Sequence, residues 1–224
     1  MSPGDQPVNN EFDGRRGRWA GHRQQRRDAL VSAAVEAIRR NGPEVGMDAI
    51  AAGAGVSKPV LYRYFADKSE LWLAVRQRAA ALVVSAIEPA VAAVREEREV
   101  VWTAIDAYLR LIEADPYLYR FVADQAGIAP DRDPVADAVD TVAGGLARVI
   151  GDRLRALGLD AGPAQPWAYG LVGCVRTVGD WWLRHAQPIS RVALTDYLTT
   201  LLWSGISGVR AAADLPGGLD VVGR

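Results

Sequence analysis

Cysteine is nearly absent: Cys174 is the sole one among 224 residues. No disulfide can therefore close within the chain, which fits a reducing, cytoplasmic setting. Histidine is almost as scarce, His22 and His185 being the only two. They form no metal-ligand spacing with the cysteine or with carboxylates. His185 follows Cys174 on one predicted helix at a rise of roughly 16 Å, too far for a Cys–His dyad. No glycine loop has the form of a phosphate cradle. These absences argue against an enzyme and predict no metal and no cofactor. They leave Cys174 as a small buried apolar residue or, on the other reading, a redox sensor. No apolar run reaches the ~18 residues of a membrane span, and none forms a signal peptide, so a soluble cytoplasmic protein without a membrane partner is expected. Strand-like alternation is missing too, which makes the chain all-α. Lysine occurs twice, as Lys58 and Lys68.

What is present is concentrated between Met47 and Leu71. Ile50, Ala54, Val56 and Leu61 are spaced so that one short helix, a tight turn and a second helix share a small core, with Ala51 small at the crossing. Gly55 falls in the turn, where positive φ costs glycine little. Ser57 is placed to cap the second helix and Pro59 lies in its first turn, where a missing N–H is not felt. Asp67 and Glu70 form an acidic variant of the capping box and predict another helix from Lys68. This is a helix-turn-helix, which points to DNA.

The run G-V-S-K-P-V-L-Y-R-Y-F-x-x-K-x-E-L from Gly55 to Leu71 resembles the DNA-binding signature of the TetR family of bacterial regulators. The resemblance implies that the second helix of the motif enters the major groove. It assigns DNA contacts to Lys58, Pro59, Val60, Tyr62, Arg63, Tyr64 and Lys68. A Thr is common in the family at the start of the preceding helix; Met47 stands there, so that hydroxyl contact is not carried over. Tyr62 has two readings from its residue type and spacing, as core beneath the motif or as a phosphate contact. Lys68, a cation in a first turn where the helix dipole disfavours it, fits a nearby phosphate better than open solvent.

The charge distribution agrees. The chain is nearly neutral, with 26 basic and 27 acidic residues. From Arg15 to Lys68, however, eleven basic residues face five acidic ones, so this segment carries +6 and the remainder −7. Residues 1–22, rich in Gly, Pro, Asn and Asp, read as a disordered basic arm. The Arg-rich stretch Arg15 to Arg27 reads either as a plain tail or as an arm that follows the duplex backbone, with Arg26 and Arg27 touching DNA. A first helix from about Gln25 to Asn41 buries Leu30, Ala33, Ala34, Ala37 and Ile38 and ends at the Asn41-Gly42 cap. The expected organisation is a DNA-binding domain over 23–68, a ligand-binding and dimerisation domain over 69–214, and a tail over 215–224. The helix from Lys68 runs to Pro89, roughly 30 Å, and links the two domains.

Further helices are expected at about Glu99 to Ala114, Pro116 to Ala126, Pro134 to Leu157, Pro163 to Ala186 and Ser190 to Ala213, separated by Pro, Gly and Asp. The last two carry more apolar surface than one internal face needs: Trp167, Leu171, Val172, Val175, Val178, Trp181 and Trp182, then Leu194, Tyr197, Leu198, Leu201, Leu202 and Trp203. That excess either makes these helices central to a larger core or, the reading favoured with the family resemblance, gives a homodimer through a four-helix interface. Two copies would set their reading helices ~34–36 Å apart on a palindromic operator. Trp102, Tyr108, Leu109, Phe121, Gln125, Leu146, Arg176 and Asp180 are the candidate lining of a ligand pocket, the effector being a small apolar molecule such as a fatty-acyl compound, as the family resemblance implies. Arg176 and Asp180, four apart, can also simply pair with each other. The expected function is a ligand-released repressor of transcription. The alternatives are a corepressor-dependent regulator and a helical interaction module that no longer binds DNA.

Overall fold

The computed structural model describes residues 10–123 and 133–213, and for 10–20, 91 and 206–213 the backbone alone. Among these the chain is helical throughout, without a strand. The helices are α1 (Asn10–Asn41), α2 (Met47–Gly53), α3 (Lys58–Tyr64), α4 (Lys68–Ala92), α5 (Glu97–Ala114), α6 (Pro116–Ala123), α7 (Pro134–Ala156), α8 (Ala164–Arg184) and α9 (Arg191–Ala213). They divide into two compact units, residues 1–75 and 76–224. The division falls inside α4, past the 68/69 boundary expected from the motif.

In the first unit α1 packs on α2, and α2 on α3. Leu30, Ala34 and Ile38 of α1, Ile50 of α2, Leu61 of α3, Phe65, and Leu71 and Val75 of α4 are buried together. Met47, where the family commonly has Thr, is also buried; a thioether there supports the core. α1 begins at Asn10, ahead of the expected Gln25, so the irregular arm predicted for 1–22 is corrected from Asn10 onward. Arg15, Arg16, Arg18 and Arg23 are good helix formers in this stretch, set against Gly14, Gly17 and Gly21. Gly42 at φ +88° ends α1 by donating to the Ile38 carbonyl at 2.8 Å.

α4 runs through Pro89 instead of stopping before it. The proline takes one N–H from the ladder, but Ser85, whose carbonyl loses it, and Pro89 are both exposed. A carbonyl on that exposed face is open to solvation, which lowers the usual cost of an internal proline.

The second unit is organised around α5, which packs against α9, α8 and α6, while α7 lies along α8. Its core joins Ile105, Leu109 and Ile112 of α5 to Trp182, Leu183, Leu194 and Leu198 of α8 and α9. Asp106, buried on α5, accepts from Arg110 at 2.6 Å and pairs with Arg191 of α9, which also reaches Glu113 at 2.9 Å. A carboxylate so deep in the unit is tolerable only with such partners. Gly179 lets α8 close on α5: a Cβ there would meet Ile112 Cδ1 at 3.0 Å and Tyr108 Cε1 at 3.1 Å. The turn after α8 holds Ala186 and Gln187 both at φ 55°. Two left-handed non-glycine residues are costly. They are held by Gln187 N–H on the Trp182 carbonyl at 2.9 Å and by the Trp182 indole donating to the Ile189 carbonyl at 2.7 Å.

Candidate nucleic-acid interface and ligand cavity

α3 presents the motif as a short helix with one buried side. Leu61 is fully buried and plugs the helix onto the core, while Lys58, Pro59, Tyr62 and Arg63 are exposed and Val60 and Tyr64 half-buried. Gly55, at φ +64°, makes the turn before it. Ser57 sits at the cap position in extended conformation, but its hydroxyl makes no capping bond; its carbonyl accepts from Val60 at 2.9 Å. Tyr62 is exposed and therefore not the core residue that one reading of its spacing offered. Lys58 pairs with Asp48 of α2 at 3.0 Å, both ends solvent-exposed, an interaction weak enough for a phosphate to displace.

Asp67 and Glu70 build the start of α4. Asp67 accepts from Glu70 N–H at 2.8 Å, and the Glu70 carboxylate accepts from Ala66 N–H at 2.6 Å. The backbone bond from Ala66 lowers the Glu70 pKa, and the Arg27 guanidinium adds to the effect against the opposing pull of burial. Arg27 donates to Glu70 at 2.8 Å and lies over the Phe65 ring at 4.6 Å. The guanidinium is engaged in joining α1 to the α3–α4 corner, a place that its reading as a DNA contact did not foresee. The sequence signal was available in retrospect, since Arg27 precedes the buried face of α1 by one turn, at Leu30 and Val31. Arg26 beside it is exposed. Lys68 is exposed with its ammonium 5.2 Å from the centre of the Trp72 ring.

The second unit holds a partly open cavity of about 650 Å³, walled by α4, α5, α6, α7 and α8 with Leu202 of α9. The wall is overwhelmingly aliphatic, including Leu82, Val83 and Ile87 of α4, Val142 and Leu146 of α7, and Leu171 and Val175 of α8. Volume and lining are those of a small-molecule site. Of the predicted lining residues, Tyr108, Leu146, Arg176 and Asp180 are in the wall. Three others are not. The Trp102 indole donates outward to Asp196 of α9 at 2.7 Å. Leu109 is fully buried in the core shared by α5, α8 and α9 and does not reach the wall. Phe121 is buried beneath the guanidinium of Arg76, 5.5 Å from its ring centre, and its carbonyl accepts from the same arginine at 3.3 Å. Gln125 lies outside the described residues. Helical periodicity identified aromatic positions on these helices but could not tell the face turned to the cavity from the face turned to the core. α4 was not expected to line the site at all, although its run of Leu82, Val83 and Ile87 carried the signal.

Polar groups in the wall are few. The Tyr108 hydroxyl donates to Tyr119; burial, reinforced by Tyr119, holds its pKa well above 10. Burial raises Tyr119 as well, so both stay neutral hydrogen-bonding groups near neutral pH. Asp180 pairs with Arg184 at 2.5 Å and not with Arg176, as the four-residue spacing toward the N-terminus had also allowed. The apolar excess of α8 and α9 divides three ways. Trp182, Leu194 and Leu198 are core, Leu171, Val172 and Val175 face the cavity, and Trp181, Tyr197 and Leu201 are exposed. No helix among the described residues is long and apolar enough to cross a membrane, and no cluster of metal-ligating side chains occurs among them.

Comparison with known proteins agrees with this geometry. Residues 30–75 match the model of bacterial regulatory proteins of the tetR family, and residues 86–218 that of the tetracyclin repressor-like C-terminal domain. An uncharacterized HTH-type transcriptional regulator of Mycobacterium tuberculosis is 38% identical over 90% of this chain and 86% of its own. The HTH-type transcriptional activator FasR of Mycolicibacterium smegmatis is 33% identical over 84% and 85%. Among solved structures, FadR from Bacillus subtilis in complex with stearoyl-CoA superposes with a TM-score of 0.66 at 19% identity, over 79% of this chain and 97% of that one. That last likeness is one of fold. A TetR-like regulator from Rhodococcus sp. RHA1 gives 0.58 at 27% identity, over 82% and 96%. With a helix-turn-helix in its first unit, an apolar cavity in its second, and both matched by the family's models, the chain belongs to the TetR family of bacterial transcriptional regulators and is not an enzyme.

Proposed function

We propose that the protein is a ligand-responsive regulator that binds a palindromic operator as a homodimer and leaves it when an apolar effector fills the cavity. The observation that carries this reading is the course of α4. Its first turns belong to the DNA-binding unit, and its later turns, from Ala79 to Glu88, form one wall of the cavity. A ligand packed against Leu82, Val83 and Ile87 favours whichever pose of this helix gives the better-filled wall. It shifts DNA affinity by its difference in affinity for the two poses. The stearoyl-CoA held by the B. subtilis neighbour supports a fatty-acyl effector here.

Lys58, Pro59, Val60, Tyr62, Arg63 and Tyr64 of α3, with Lys68 and Arg26 beside it, form the proposed DNA surface, and the exposed apolar residues of α8 and α9 the proposed dimer face. Repression is the proposed sign. The M. smegmatis relative is named an activator, and on physical grounds the sign follows from where an operator lies relative to a promoter. The decisive experiment is a titration of a labelled operator duplex with purified protein, repeated in the presence of a graded series of acyl compounds. The effector concentration needed for half release should fall by up to about fourfold per added methylene until the cavity is full, since each buried CH₂ contributes ~0.8 kcal/mol to the pose that buries it. Affinity for DNA that is unchanged across the series contradicts the ligand reading. A corepressor would instead tighten binding.

A further inference from the structure

The large cavity has a neighbour. A smaller depression of about 420 Å³ is lined by Tyr119, Arg120, Ala123, Asp180, Leu183 and Arg184, and Tyr119, Ala123 and Asp180 belong to both walls. The two hollows therefore adjoin and differ sharply in chemistry. On one side the wall is aliphatic. On the other stand two guanidinium groups, Arg120 of α6 and Arg184 of α8, both exposed. Asp180 in the shared wall is bonded to Arg184 at 2.5 Å and so offsets only one of these charges. Arg176, one helical turn back, lines the apolar side.

We propose that the depression is a headgroup site, and that the effector is an anionic amphiphile whose carboxylate or phosphate lies against Arg120 and Arg184 while its tail passes Tyr119 and Asp180 into the chamber. This rests on the reading above that the chamber takes an apolar ligand, and it adds the charge and placement of the polar end. A guanidinium offers a planar fork matched to carboxylate and phosphate oxygens. An arriving anion takes the place of Asp180 on Arg184, and the displaced carboxylate has a second cation at i−4 in Arg176. The Asp180–Arg184 pair thus acts as a threshold between the two hollows: an exchangeable bond that yields to a ligand bringing its own anion. A neutral amphiphile of equal length gains the same burial but cannot make the exchange.

The test is calorimetric titration of the full chain with dodecan-1-ol, dodecanoate, dodecyl phosphate and inorganic phosphate, the amphiphiles kept below micelle formation. The two anionic amphiphiles should bind the native protein about tenfold more tightly than the alcohol, as expected of two partly exposed charge contacts. The Arg120→Gln/Arg184→Gln variant should lose that preference and keep its affinity for the alcohol. Asp180→Asn, which removes the competing carboxylate, should enlarge the preference. Equal affinities in the native protein, or a preference surviving in the double variant, overturn the headgroup site while leaving the chamber reading intact. Inorganic phosphate binding as tightly as dodecyl phosphate overturns it in favour of a free-anion site. Failure of every amphiphile, the alcohol included, removes the chamber reading along with it.

Discussion

Arg26 and Arg27 are adjacent in sequence and opposite in consequence. Arg27 is bonded to Glu70 and stacked on Phe65, so Arg27→Ala should cost the first unit about 1–2 kcal/mol in urea unfolding, through lost packing as much as lost charge. Arg26→Ala should leave stability unchanged and reduce the salt dependence of DNA binding by about one counterion. Glu70 supplies a pH prediction. Its folded pKa lies below the ordinary 4.5, chiefly because it accepts from Ala66 N–H and then through Arg27. A depressed carboxyl stabilises the fold above its unfolded pKa, and that contribution is lost as pH falls through the folded value. Glu70→Gln should therefore flatten the acid limb of the stability profile below about pH 4.5 and leave the neutral region sloping as before. Gly179→Ala places a methyl 3.0 Å from Ile112 and 3.1 Å from Tyr108, and should cost about 1–3 kcal/mol as α8 is pushed from α5. Thermal unfolding reads that loss directly.

The helices were legible where local chemistry marks their ends. Gly42, Gly55, the Asp67 and Glu70 pair, and Pro116, Pro134 and Pro163 fixed boundaries that agree to within a few positions, because caps and prolines act on the chain immediately beside them. Pro89 misled for a related reason. Its effect depends on whether the freed carbonyl reaches water, which is a property of the folded surface. The partition of α8 and α9 was illegible for a deeper one: core, cavity and exposed faces all ask for the same apolar side chains, and only the neighbours distinguish Trp182, held inside, from Trp181, left outside. The dimer face is proposed from that remainder. Tyr197 and Leu201 are 64% and 63% exposed and one turn apart on α9, a spacing that puts both on one side of the helix. Replacing both with Glu should yield monomers in sedimentation at micromolar concentration while helical content stays native. Dimers that persist would move the interface elsewhere.

The chain as a unit couples two kinds of recognition that its sequence records very unequally. DNA recognition is written in a contiguous signature of seventeen residues, since a reading helix, its turn and its cap are neighbours in the chain. Ligand recognition is assembled from six helices, none of which carries a motif, and of the eight candidate lining residues only Tyr108, Leu146, Arg176 and Asp180 meet in the wall, while Leu171, Val172 and Val175, read beforehand as interface, join them there. Between them runs α4, whose beginning was marked by its capping residues and whose role in the wall emerged only from packing. The most direct test of the account is a selection of bound fragments from the organism's own chromosome by the purified protein, carried out at physiological salt. The account predicts enrichment of a palindrome with half-sites about one helical turn, ~34–36 Å, apart, with protection lost when Arg63 and Tyr62 are both replaced by Ala. Retention without sequence preference, or an enrichment indifferent to those two residues, would contradict it.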